Sequence, residues 1–151
     1  MGQADRYPAL EIKDSLIRVL KEDTYISTLV NNISLNEPIV YKTAIENLTM
    51  YDCPAIGVFL PTELNFKKEN LYKNEPSLFF IDVVCEDSDY IESQNKALKL
   101  CYDIKSIIEC KSNLYNTVAN LQVYKFQELG SFNKNKIFQF AYRIHIEILS
   151  S

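Results

Sequence analysis

The chain has 151 residues, 47% of them hydrophobic and 24% charged, with a net charge of −4 at pH 7 and a pI near 5.1. This length and composition are typical of one globular domain, which at this size buries about two-thirds of its unfolded surface. The acidic balance argues against a protein that grips nucleic-acid phosphates, although it would suit a surface past which DNA slides.

The cysteines and the single histidine show no metal-binding pattern. No CxxC pair occurs, and His145 has no second histidine near it, so the spacing of zinc ligands is absent. Cys85 and Cys101 lie on apolar faces of their segments and are expected to be small buried hydrophobes in a reducing cytosol. The sequence shows no signal-peptide, myristoylation or membrane-spanning pattern, so we expect a soluble intracellular protein.

Two helices are predicted at the start of the chain. Pro8 is well tolerated in a first helical turn, and apolar residues follow it at helical spacing. These apolar residues are Leu10, Ile12, Leu16, Ile17 and Leu20. Asp23 or Thr24 could cap a second, shorter helix that ends at Asn31 and Asn32. Both helices are expected to cover a sheet.

The middle of the chain predicts a short strand and a long polar connection. Residues 34–52 alternate partly like an edge strand but also contain turn signals, so an irregular crossing is the alternative. Residues 53–61 read as a short strand bracketed by prolines. Residues 61–77 form the most polar segment, and a long connection of this kind is either a docking loop or merely solvated. The candidate docking residues are Glu63, Lys67, Lys68, Glu69 and Asn70.

A central strand and the longest helix are predicted next. Residues 78–85 are a nearly continuous apolar run, which is consistent with a central strand. Asp82 interrupts the run, and we expect it on the outer, partly buried face of the sheet or, alternatively, paired at an interface. Asp89 is the candidate N-cap of a helix that should end near residues 110–111.

The last part of the chain predicts a hairpin of two long strands. Residues 121–129 and 137–149 would pair across a connection at residues 130–135. The final strand alternates strictly between apolar and polar positions, which indicates one buried face. The predicted fold is therefore α+β, with an antiparallel or mixed sheet of four to five strands and two main helices packed on one face.

Candidate catalytic groups are few. A Cys–His dyad of His145 with Cys85 or Cys53 is one possibility, weighed against an exposed or interface histidine. Glu86, Asp87 and Asp89 cluster at a strand-to-helix turn. Carboxylates there are expected first to stabilise the helix N-terminus and only secondarily to form an acid–base pair. No glycine-rich phosphate loop is present, so we expect no catalytic residues, cofactor or metal.

The polar face of the final strand is a further candidate surface. It carries a stripe of mixed charge that is either solvated or part of a subunit interface. The stripe consists of Gln139, Arg143, His145 and Glu147.

The order of these elements resembles the tail terminator, or tail-completion, family of tailed bacteriophages and related contractile particles. The resemblance covers most of the chain and is one of pattern, since the family has no diagnostic motif. The segments that carry it are the amphipathic start at residues 10–20, the strand at 54–60, the polar connection, the strand at 79–84, the helix at 88–109 and the hairpin at 121–149.

The resemblance implies a structural role without turnover. In that family the subunits form a hexameric ring that caps the tail tube, stops its growth and offers its other side to the head connector. The implied partners are further copies of the chain, tube and sheath subunits, and the connector, at the neck-proximal end of a virion tail assembled in the host cytoplasm. DNA would pass through the ring without sequence recognition, and no membrane is involved. The polar connection would probe the tube or sheath, and the polar stripe of the last strand would join copies.

Two alternatives come from other classes. Another head–tail connector, such as a neck or head-completion protein, would share the assembly logic. A small enzyme or immunity-type binding protein would instead be monomeric or dimeric, with a pocket lined by Cys85, His145 and Asp82.

Overall fold

A computed structural model describes residues 7–30, 53–60, 63–64, 66, 77–111, 113–115, 118 and 120–149. These residues form three helices and four strands in the order α1, α2, β1, β2, α3, β3, β4. Their bounds are Pro8–Glu22 (α1), Thr24–Leu29 (α2), Ala55–Phe59 (β1), Leu78–Asp87 (β2), Tyr90–Cys110 (α3), Asn120–Lys134 (β3) and Ile137–Leu149 (β4). The uncertain segment at residues 34–52 lies outside the described residues.

The four strands form one antiparallel sheet with the order β1-β2-β4-β3. β2 and β4 are the inner strands, so the prediction of a central strand at residues 78–85 is confirmed. The α+β class, with the two main helices packed on the sheet, is confirmed as well. The first and the last strand in this order, β1 and β3, are the edges of the sheet as the described residues form it.

The two main helices of the described residues, α1 and α3, pack on one face of the sheet, which we call the helix face, and α2 packs against α1. Period-two alternation in the strands turns large apolar side chains toward the helices, and together they make one core. The largest fully buried side chains of this core are Phe79, Phe140, Ile12, Leu16, Leu20, Ile26, Ile56, Ile81, Leu100, Ile104 and Ile108. We call the opposite face, which carries Asp82 and His145, the outer face.

The helix boundaries follow local chemistry. Pro8 opens α1, and the Asp23 carboxylate accepts a hydrogen bond from the Ile26 backbone N–H (3.0 Å), which caps α2 as predicted. Asp89 occupies the N-cap position of α3 but makes no side-chain cap bond. In α1 the expected apolar stripe is wrong at Leu10, which is 52% exposed, whereas Ile12 is fully buried.

The final hairpin differs from its prediction. β3 continues through residues 130–134, and the turn consists of only Asn135 and Lys136, with φ of 53° and 65°. Two left-handed residues are what a tight hairpin turn requires. Gly130, with φ of 116°, lies at a register shift after Glu128. The glycine that suggested a loop is therefore a bulge residue inside a strand.

Candidate functional site

The polar stripe of β4 is largely buried within the chain itself. Gln139 is 1% and His145 is 7% exposed, while Arg143 and Glu147 are half-buried. The expectation of a solvated stripe is therefore wrong for Gln139 and His145. The expectation that these residues join copies stays untested, but side chains as buried as these offer little surface to a neighbour.

Asp82 and Arg143 form a two-point ion pair across neighbouring strands. The strand register places them directly opposite each other. Arg143 Nε and Nη2 donate to the two Asp82 carboxylate oxygens at 2.7 and 2.8 Å. Hydrogen bonding to Asp82 raises the pKa of Arg143. Asp82 lies on the outer face as predicted, but it is fully buried rather than partly buried.

His145 lies beside this pair and is held by two side chains of β3. Its Nε2 donates to Gln127 Oε1 at 2.8 Å, since that oxygen can only accept, and its Nδ1 lies 3.4 Å from the Tyr124 hydroxyl. The ring of Phe80 contacts it edge-on, with 4.7 Å between centroids. Burial lowers the pKa of His145 to about 4, with further lowering from the charges of Lys125 and Arg143. The imidazole is therefore neutral at pH 7.

The structure separates the groups of the proposed Cys–His dyad. Cys85 points to the helix face within the main core, whereas His145 lies on the outer face. Burial raises the pKa of the Cys85 thiol to about 12, so it is not a thiolate at neutral pH. Cys53 packs with Ala55, Val84 and Ala141, and Ala141 is about 13 Å from His145 along an extended strand. A pocket combining Cys85, His145 and Asp82 is therefore wrong.

The carboxylates between β2 and α3 have a structural part. The Asp87 side chain accepts from the Asp89 backbone N–H at 2.9 Å and pairs with Lys96 at 2.6 Å. The bond to Lys96 lowers the pKa of Asp87. Asp87 thus ties the turn to the first half of α3 through Lys96, a contact that the sequence did not predict.

Two clefts lie along the helix layer. The larger, about 370 Å³, opens beside the end of α3, where Tyr115 donates to Glu22 at 2.7 Å and the Arg18 guanidinium stacks over the Tyr115 ring at 3.8 Å. The second, about 300 Å³, lies between α2 and α3, and Lys96, Lys99 and Asp103 are among the residues that line it. Neither cleft includes a residue of the outer-face cluster around His145.

Two groups of apolar side chains at the surface were not predicted from the sequence. The first, the β3 patch, consists of the exposed Tyr102 and Tyr124 and the partly buried Phe126 around the edge strand. The second, the α1 groove, has a volume of about 240 Å³ and is lined by Tyr7, Pro8, Ala9, Leu10 and Phe66. The sequence did not reveal the patch, because a register shift between Val123 and Lys125 breaks the period-two alternation from which the faces of β3 would be read.

Of the five candidate docking residues, only Glu63 is described, and its side chain is exposed. Lys67, Lys68, Glu69 and Asn70 lie outside the described residues. Over the described part of the chain, no group of three or more His, Cys, Asp or Glu side chains is arranged to hold a metal ion. None of the helices α1 to α3 has both the length and the apolar character needed to cross a membrane.

Comparison of the sequence with protein-family models gives no match. Comparison with curated proteins also gives no match.

Proposed function

We propose that the protein is a structural subunit of a phage-type tail whose copies close into a ring, hexameric in the family it resembles. The ring caps the tail tube, stops its polymerisation and provides the attachment surface for the head connector. The role is binding without turnover, at the neck-proximal end of a tail or of a related contractile particle.

The observation that carries this proposal is the edge strand β3. In the sheet that the described residues form, β3 is an edge strand of 15 residues, and Tyr124 at one of its register shifts is 43% exposed. Two register shifts and the bond from the Val123 N–H to Glu109 Oε2 (3.1 Å) blunt parts of this edge, but they do not cover its full length. A long edge strand is a template for pairing with other chains unless something covers or blunts it. Closure of a ring would cover the same edge in every copy and leave none open.

The layered architecture also supports the proposal. The order on which the resemblance rests is the N-terminal α1 with the short α2, a strand pair, the long α3 and a closing hairpin. The groups that catalysis would recruit are engaged in structural contacts. Asp82 binds Arg143 and His145 binds Gln127, which stabilises the sheet and leaves the surface roles to other residues.

The polar connection remains the proposed contact with tube or sheath subunits. Deleting residues 67–70 should leave the fold intact and abolish capping, because the deletion removes three charged side chains from a long connection. Circular dichroism checks the fold, and the length distribution of tubes assembled with the variant measures capping. Unchanged tube lengths would remove the connection from the mechanism.

The first test of the proposed function is mass in solution, by light scattering after size exclusion, with negative-stain images of the peak. We expect rings of about six copies, or monomers that form rings when tail tubes are added. A monomer or dimer indifferent to tubes would overturn the proposal and favour a small enzyme or immunity-type protein. Rings that bind a head connector but leave tube growth unchanged would favour another neck protein.

A further inference from the structure

Tyr102 and Tyr124 present aromatic rings on the two sides of the β3 edge. Tyr102, on α3, is 58% exposed and packs edge-on against Phe126 of β3, with 5.1 Å between ring centroids. Tyr124 is 43% exposed and packs against His145 on the outer face, with centroids 5.6 Å apart. Neighbouring rings hold each tyrosine, so little side-chain freedom is lost when a partner covers it. Aromatic anchors of this kind dominate the binding energy of interfaces.

The α1 groove is the other exposed apolar surface that matters here. Tyr7, Leu10 and Phe66 are 47%, 52% and 54% exposed, and they line a groove of about 240 Å³. Pockets for drug-sized ligands begin at about 300 Å³. The groove therefore has room for one protruding side chain.

The two surfaces belong to opposite edges of the sheet. α1 packs on β1, α2 and α3, and β1 is one edge of the sheet, whereas β3 is the other. Three strand spacings separate β1 from β3, which is about 14 Å. A contact between unlike surfaces repeats from copy to copy and closes into a ring when the rotation permits.

The charges beside the two surfaces are compatible with such a contact. Lys125 Nζ lies 6.0 Å from the Tyr124 ring centroid. On α1, Asp14 is exposed one turn after Leu10, and Glu11, Lys13 and Asp14 together carry two negative charges and one positive charge, a net −1. β3 (residues 120–134) contains Lys125, Glu128 and Lys134 as its charged residues, a net charge of +1. The start of α1, with a net −1, therefore meets β3 without like-charge repulsion, although each copy carries −4 overall.

We infer that copies of this chain contact one another head to tail, with Tyr102 from the β3 patch of one copy seated in the α1 groove of the next. Tyr102 is the central anchor, and Lys125 faces the acidic start of α1. This inference rests on the proposed ring and names the interface that closes it. It replaces the buried stripe of β4 as the surface that joins copies.

The test uses two charge-introducing variants and a matched control. Tyr102→Glu disables the patch and Leu10→Glu disables the groove, while Ile91→Glu changes a 60% exposed residue of α3 outside both surfaces. All three positions are exposed, and Leu10 is in the first helical turn, where an acidic residue is favourable. Far-UV circular dichroism and urea midpoints verify the folds, and light scattering gives the masses.

We expect the wild type and Ile91→Glu to form rings, and each of the other variants alone to fall to the mass of a monomer. An equimolar mixture of Tyr102→Glu and Leu10→Glu should give dimers, because each variant retains the surface that the other has lost. Rings from either variant alone, or a mixture that stays monomeric, would overturn the head-to-tail contact and leave the proposed function intact. If the wild type formed open filaments and only the two interface variants abolished them, the head-to-tail contact would be supported. The proposed closed ring that caps the tail tube would then be contradicted. A monomeric wild type, with and without tail tubes, would overturn both.

Discussion

The two faces of the sheet are buried by different means. On the helix face, apolar side chains such as Ile81 and Ile144 pack into one core. On the outer face, the polar side chains of Asp82, Gln139 and His145 are buried nearly as deeply, beside a small apolar cluster around Val84 and Ala141. The helix face needs only volume and shape, whereas the outer face needs a matched partner for each polar group. Burial on the outer face is therefore more sensitive to single changes.

The largest effect is expected from breaking the ion pair. Arg143→Leu leaves the fully buried Asp82 carboxylate without the cation opposite it, which should cost about 3–5 kcal/mol of unfolding free energy. Urea unfolding at pH 7 measures the loss. Arg18→Leu is the comparison, because the Arg18–Glu22 pair is more than half exposed on both sides. Arg18 also stacks over the Tyr115 ring, so we expect a small loss of unfolding free energy, well below that of Arg143→Leu. Equal losses of unfolding free energy from the two substitutions would show that the buried Asp82–Arg143 pair stabilises the fold no more than an exposed pair does.

The next effect is a loss of stability on acidification. The pKa of His145 is about 4 in the folded chain, against an ordinary value of about 6.5 in the unfolded chain. As the pH falls, the unfolded chain takes up this proton first. The stabilisation is therefore complete above about pH 6.5 and is lost between there and about pH 4, by an amount on the order of 2–3 kcal/mol.

Comparison of the wild type with His145→Gln isolates this contribution, because the carboxylates titrate in both proteins. Urea unfolding at pH 7, 5.5 and 4.5 should show a steeper decline for the wild type than for His145→Gln. Parallel declines would mean that His145 is not buried in its neutral form.

The smallest effect is expected on the helix face. Ile144→Val removes one methyl group from a fully buried site and should cost about 0.5–1.5 kcal/mol. The cost should not change between pH 7 and pH 5, because no titratable group is lost. Urea unfolding at pH 7 and pH 5 checks this. A loss of unfolding free energy that depended strongly on pH would contradict the proposed difference between the two faces.

Local pattern was a sound guide where a single periodicity ran unbroken. α1, β2 and α3 were placed well, because apolar spacing and terminal signals agree along their lengths. The β3–β4 turn was misplaced, since Gly130 and the polar residues after it look like a loop in sequence although they continue a bulged strand. A bulge shows in pairing rather than in local sequence, so the partner strand is needed to recognise it.

The candidate surfaces show the same division. The sequence identified Arg143 and His145 as notable polar residues of β4, but not that Asp82 and Gln127 hold them inside the fold. Those partners are 61 and 18 residues away along the chain. The β3 patch likewise joins Tyr102 of a helix to Phe126 of a strand.

Hydrophobic periodicity is a local property, so the sequence was enough to predict the α+β class, the central strand and the long helix α3. Which polar residues are buried and which apolar residues are exposed followed only from the folded structure. His145 is buried because Phe80, Tyr124 and Gln127 meet around it. Leu10 remains exposed although it opens an apolar stripe. Whether a side chain is exposed depends on which other segments pack over it, and the whole fold decides which distant segments meet.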